Sequence, residues 1–194
     1  MQISTTTRGR SVKHFGRRFK LILENFLMGT IALLLCFNGN AQNANKKRTT
    51  VKFKKHVITN DFIAEGATAA DVNKDGKIDI LAGAFWFEAP DWKPHEIAVP
   101  KPFSYKDGYS DSFLDFAADV NQDGWVDLIR IDIPGAPAVW YANNKNQPGH
   151  WKEYALYSSV GNESPLLTDI DGDGRMDILC NDPEKKEVIW LQSP

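Results

Sequence analysis

The apolar residues of this chain fall in short bursts, and three of those bursts follow the same polar preamble. "DVNKDGKIDIL" starts at Asp71, "DVNQDGWVDLI" at Asp119 and "DIDGDGRMDIL" at Asp169, so the starts lie 48 and 50 residues apart. A period of that size marks an array of similar supersecondary units. The bursts themselves, "IDILAGAFWF", "VDLIRIDI" and "MDILC", are β-branched or aromatic runs bounded by Gly, Pro and Asn, and they predict strands. A second apolar segment follows in each unit, around Trp86, Trp140 and Trp190. A third aligns by its ring and apolar positions: Phe53, His56 and Ile58; Trp92, His95 and Ile97; Trp151, Tyr154 and Leu156. Each unit thus holds about four short strands in roughly 50 residues, which describes a propeller blade. The expected fold is all-β, with about three four-stranded blades across residues 51–194. Trp86, Trp140 and Trp190 recur at equivalent places and are expected in the core, whereas Trp92, Trp125 and Trp151 are less constrained.

The first 41 residues do not share this pattern. Arg8, Arg10, Lys13, Arg17, Arg18 and Lys20 form a basic region, an apolar run covers 26–37, and Gly39 and Ala41 supply small residues before a cut. This predicts a secretory signal peptide over 1–41 cleaved after Ala41, then a linker over 42–50. The apolar run is short for a bilayer span, and Leu35 disfavours a lipoprotein cut before Cys36, so the expected product is secreted, with no stable membrane span.

Cleavage changes the charge. It removes six of 23 Lys+Arg and one of 25 Asp+Glu, leaving 17 against 24 and a net charge near −7. Such a balance points away from nucleic acid, which calls for a basic face. Only Cys180 remains of the two cysteines, so no intramolecular disulfide is expected, and Cys180 after "MDIL" reads as a small buried hydrophobe.

The acidity is concentrated in the loops 71–79, 119–127 and 169–177, which hold 10 of those 24 acidic residues. Oxygen-bearing side chains stand at positions 1, 3, 5 and 9 of each loop: Asp71, Asn73, Asp75 and Asp79; Asp119, Asn121, Asp123 and Asp127; Asp169, Asp171, Asp173 and Asp177. Alternate spacing brings those oxygens to one side, the glycine at position 6 (Gly76, Gly124, Gly174) permits a sharp turn, and the carbonyl of Lys77, Trp125 or Arg175 at position 7 adds an oxygen. Several hard oxygen ligands without His or Cys suit calcium. An acidic surface turn is the plainer alternative, since "DG" is a common turn dipeptide, but three copies agreeing at all five positions weigh against it. An EF-hand is excluded because position 12 is Ala82, Arg130 and Cys180, not Glu, and because strands flank the loops.

The repeated D-x-[DN]-x-D-G-x-x-D followed by a short apolar strand resembles the FG-GAP, or VCBS, repeats of calcium-bearing β-propellers, related to the integrin α-subunit head. The resemblance covers essentially all of 51–194. It implies that each loop joins the first two strands of a blade, that calcium bound by the twelve side chains above braces the blade, and that the whole is a propeller of seven blades. Three loops fill less than half of such a ring. The chain therefore reads as the front part of a longer protein, with self-association of an incomplete array as the alternative. Family members include adhesion and ligand-binding proteins, and related propellers occur in carbohydrate-active lyases and dehydratases.

The expected function is a secreted calcium-binding interaction module with a protein or glycan ligand, completed by further blades. The rival is a sugar lyase or dehydratase. For it, His56, His95 and His150 are the histidines left after cleavage, and Tyr154 stands opposite His95 in the aligned units, where the two can serve as base and acid. Repetition of His56 and His95 favours packing instead. An exposed Trp125 indole, or the polar aromatic insertion "KPFSYKDGYSDSF" from Lys101, are further candidate ligand surfaces.

Overall fold

The computed structural model describes residues 50–161 and 163–194; the predicted leader and nearly all of the linker lie outside that range. The architecture is all-β. Sheet 1 contains β1 (Thr68–Ala70), β2 (Asp79–Ala82), β3 (Phe85–Glu88) and β4 (Lys93–Glu96). Sheet 2 contains β5 (Leu114–Ala118), β6 (Asp127–Ile131), β7 (Ala136–Ala142) and β8 (Lys152–Val160), and sheet 3 contains β9 (Leu166–Thr168), β10 (Asp177–Asp182) and β11 (Glu187–Leu191). Each strand pairs antiparallel with its neighbour in sequence, and the sheets are not joined edge to edge. Two sheets therefore have the four strands expected, while the third has three among the described residues.

Two expectations are corrected. Residues 53–58, aligned above with the fourth strands, form no strand, and Phe53 is almost fully exposed. A lone segment has no ladder partner for its backbone, so aromatic periodicity alone does not make it a strand. Trp151, expected to be less constrained, is core, whereas Trp190, expected in the core, is 43% exposed.

The period-2 alternation of the strands explains the core. In sheet 1 Leu81 pairs across strands with Trp86, and both face sheet 2, where they meet Leu128, Tyr141 and Trp151. In sheet 2 the next pair, Ile129 and Trp140, faces sheet 3 and meets Ile178 and Cys180. Sheet 2 thus packs its front on sheet 3 and its back on sheet 1. Burial of Cys180 matches the sequence reading.

Hydrogen bonds tie the stack together. Trp151 N–H donates to Ile97 O at 2.8 Å, and Gly161 N–H donates to Asn181 O at 2.8 Å. Gly66 N–H donates to Ser112 O at 3.0 Å, an approach so close that a Cβ on Gly66 would sit 2.7 Å from Asp115 N.

Candidate metal loops and the cleft beside them

All three loops join the first two strands of a sheet, at the β1–β2, β5–β6 and β9–β10 connections. Their folding follows from local carboxylate chemistry. At position 1, Asp71 accepts the N–H groups of Asp75 (3.1 Å) and Gly76 (3.0 Å); Asp119 accepts those of Asp123 and Gly124, and Asp169 those of Asp173 and Gly174. Positions 3 and 5 accept the N–H two residues on, as in Asn73 with Asp75 and Asp75 with Lys77. The position-6 glycines have φ between 84° and 89°. Position 4 is left-handed too, at Lys74, Gln122 and Gly172, a repeated feature that the sequence betrays only in the third copy.

Position 9 does something different. Asp79 is fully buried and accepts the N–H of Val72 at 3.0 Å with one oxygen and that of Ala89 at 2.8 Å with the other. Asp127 binds Val120 and Asn143 in the same way, and Asp177 binds Ile170 and Ser193. This aspartate clips the start of each loop to the end of the third strand. Burial raises Asp127 to about 6 against the N–H groups of Asn143 and Val120, whereas the N–H of Ser193 holds Asp177, in the outer sheet, below the ordinary carboxylate value.

Cations attend position 5. Lys77 lies 2.6 Å from Asp75, Lys145 lies 3.0 Å from Asp123, and Arg175 Nε donates to Asp173 at 2.8 Å. Hydrogen bonds from Lys77 and from Arg175 hold Asp75 and Asp173 below their ordinary value. Among the described residues, the third loop alone brings three carboxylates, Asp169, Asp171 and Asp177, within 4.8 Å of one another. Loops 1 and 2 carry an Asn at position 3 and so offer one carboxylate fewer. The all-oxygen donor set, the inward carboxylates and the turns that aim them fit a hard divalent cation. Trp125 is half-buried, with Lys74 of the first loop 4.4 Å from its ring centroid, so the indole bridges neighbouring loops.

Beside the first loop, a cleft of about 690 Å³ opens between sheets 1 and 2. His95 Nε2 lies 2.8 Å from Glu88, and His150 Nε2 lies 2.9 Å from Glu96. Glu88 also accepts from Asn73 Nδ2 at 3.4 Å, and Asn146 Nδ2 donates to Asn73 O at 3.1 Å, which couples this cleft to the loop. Glu96 and Asn146 have no counterparts in the repeat pattern, and Glu88 answers to Gln192, whose Nε2 donates to Asp171 at the same loop position; the sequence reading missed all of them. His95 stacks on Trp86 at 4.2 Å and Tyr154 on Trp140 at 4.6 Å, both at 12°. They are cross-strand partners of the recurring tryptophans in different sheets, and the structure does not bring them together as a base and acid pair.

Residues 119–180 match the family model for an FG-GAP-like repeat, spanning the second loop, the rest of sheet 2, and the third loop with most of β10. No curated protein and no solved structure matches the chain. The matched stretch has the loop and strand arrangement of its neighbours on either side, so this all-β chain carries an FG-GAP-like repeat at 119–180.

Proposed function

We propose that the chain is an exported, calcium-braced module that binds a glycan or protein ligand in the polar cleft between sheets 1 and 2. The observation that carries the calcium part is the repetition of one carboxylate-centred fold in three loops whose sequences differ elsewhere. Calcium there supplies a countercharge to carboxylates that otherwise repel one another, and its ligands would be the side chains at positions 1, 3 and 5, the carbonyls of Lys77, Trp125 and Arg175, and the partly committed aspartates at position 9. Bracing the first loop also steadies Asn73 and, through it, Glu88 on the cleft wall. Amides, carboxylates and imidazoles are planar groups that pair with sugar hydroxyls, which favours a polar ligand here.

The test is calcium titration calorimetry on the chain and on the triple variant Asp75→Ala, Asp123→Ala, Asp173→Ala. The variant is expected to lose high-affinity uptake. An unchanged stoichiometry would remove the loops from the calcium reading. For the ligand, a glycan array probed with the intact chain and with Glu88→Gln should show binding that the variant weakens; binding indifferent to Glu88 would move the ligand elsewhere.

A further inference from the structure

The back of sheet 1 differs from the back of sheet 2. In sheet 2, Leu128, Tyr141 and Trp151 are buried against sheet 1. Their counterparts in sheet 1 are Ile80, Phe87 and Trp92, and among the described residues no sheet covers them. Two non-repeated segments, 58–63 and 99–111, cross this face instead. They are anchored firmly. Ser110 N–H donates to Glu65 at 3.1 Å and its hydroxyl donates to the same carboxylate, while Lys101 and Arg130 hold Asp111 at 2.5 Å and 3.7 Å. Phe62 packs on Phe103 and Tyr105 with ring centroids 5.6 and 6.0 Å apart.

These segments bridge the face without filling it, and a cleft of about 540 Å³ remains. Five aromatic rings line it, from Phe85, Phe87, Trp92, Phe103 and Tyr109. Trp92 has φ 57°, a conformation that bulky residues rarely adopt, and its N–H donates to Glu88 O at 2.7 Å. Trp151, at the same place in sheet 2, has no such backbone and is packed in the core. The turn between β3 and β4 thus fixes where the Trp92 ring stands.

Asp111 is matched by Lys101 and by Arg130 behind it, so the carboxylate of Asp61 is the lining charge that no ion pair offsets. The crossing segments wall the cleft on the side away from the sheet, and its volume falls in the small-molecule range of about 300–1,000 Å³. Aromatic faces carry negative quadrupoles that attract organic cations. We propose that this cleft is a binding site for a small organic cation, an amine or quaternary ammonium group carried on an apolar body. The site is separate from the metal loops and from the cleft between sheets 1 and 2, and it does not depend on either.

Tryptamine and indole-3-acetate share a ring and differ in the sign of the head group, which makes them suitable probes of the intact chain by ligand-observed NMR or calorimetry. Tryptamine is expected to bind about tenfold more tightly than indole-3-acetate. Asp61→Asn should shrink that preference, and Trp92→Leu and Phe103→Ala should each weaken tryptamine binding about fivefold or more while the chain still unfolds cooperatively. Phe103 stands on a crossing segment, outside every strand, so its variant remains informative if Trp92→Leu fails to fold. Equal affinity for the two probes, a preference for indole-3-acetate, no binding of tryptamine, or binding indifferent to both ring variants would each overturn the assignment.

Discussion

Ile129 and Trp140 on the front of sheet 2 and Leu179 and Trp190 on the front of sheet 3 occupy the same register, four residues of one design. Ile129 is buried, whereas Leu179 and Trp190 are 37% and 43% exposed. Nothing in the local sequence separates the two faces. What differs is the neighbour: sheet 3 lies against the first, and among the described residues no sheet lies against the second. In such an array each unit's apolar face becomes core only through the next unit, so stability resides at the interfaces between repeats. The back of sheet 1 is a third outcome, where loops cover the same kind of face incompletely.

The sharpest break of this comparison is truncation at matched positions. Leu81→Ala, at a fully buried leucine between sheets 1 and 2, is expected to cost about 2–5 kcal/mol in urea unfolding of the whole chain. Leu179→Ala, at the same position in sheet 3, should cost about 1 kcal/mol, because much of its side chain already contacts solvent. Equal losses would mean that the front of sheet 3 is covered in solution.

The interface between sheets 1 and 2 also contains a feature that the interface between sheets 2 and 3 lacks. Asp115 stands where the other units have Ala67 and Pro165. Burial raises it from 3.8 to about 6, against hydrogen bonds from Ser112 and Gly83 and the nearby charge of Arg130, with Asp111 pushing it further up. Because the folded pKa lies above the unfolded one, the folded chain binds more protons between about pH 4 and 6, and stability falls as pH rises through that window. The loss attributable to Asp115 is about 3 kcal/mol by pH 7. Asp115→Asn should flatten the slope in a pH series of urea melts, and an unchanged slope would show that Asp115 is ionised and well solvated in the fold.

Gly66→Ala tests the same interface at its closest backbone approach. An added methyl would stand 2.7 to 2.9 Å from the backbone of Leu114 and Asp115, so β1 and β5 must separate. A loss of about 1–3 kcal/mol is expected, together with faster hydrogen exchange at Gly66 N–H. A neutral result would mean that the two inner strands shift freely.

Much of this was legible in the sequence because the repeat supplied its own control. Three copies of one loop fixed the positions of β1–β2, β5–β6 and β9–β10, and the glycine at position 6 announced the turn. The shared role of the position-9 aspartates was hidden, since their second partners, Ala89, Asn143 and Ser193, have nothing in common but a backbone N–H. Strand 53–58 was misread because an aromatic pattern carries no information about pairing. The two clefts were illegible for a related reason. Their walls join Glu88 with Asn146, or Phe87 with Phe103, and such long-range neighbours leave no periodic trace.

The smallest expected effect tests the outer face most directly. Val188 is 75% exposed, whereas Ala138, its counterpart in sheet 2, is 1% exposed beneath sheet 3. Val188→Ser should therefore change stability by no more than about 0.5 kcal/mol, the usual range for surface positions without special contacts. The measurement belongs at two protein concentrations. If Val188, Leu179 and Trp190 face water, the small effect persists at both. If a second copy covers them, the wild type gains stability with concentration and the serine variant does not, because association adds its free energy only to chains that can associate. The front of sheet 3 would then be an interface like the front of sheet 2, with its neighbour supplied by another molecule.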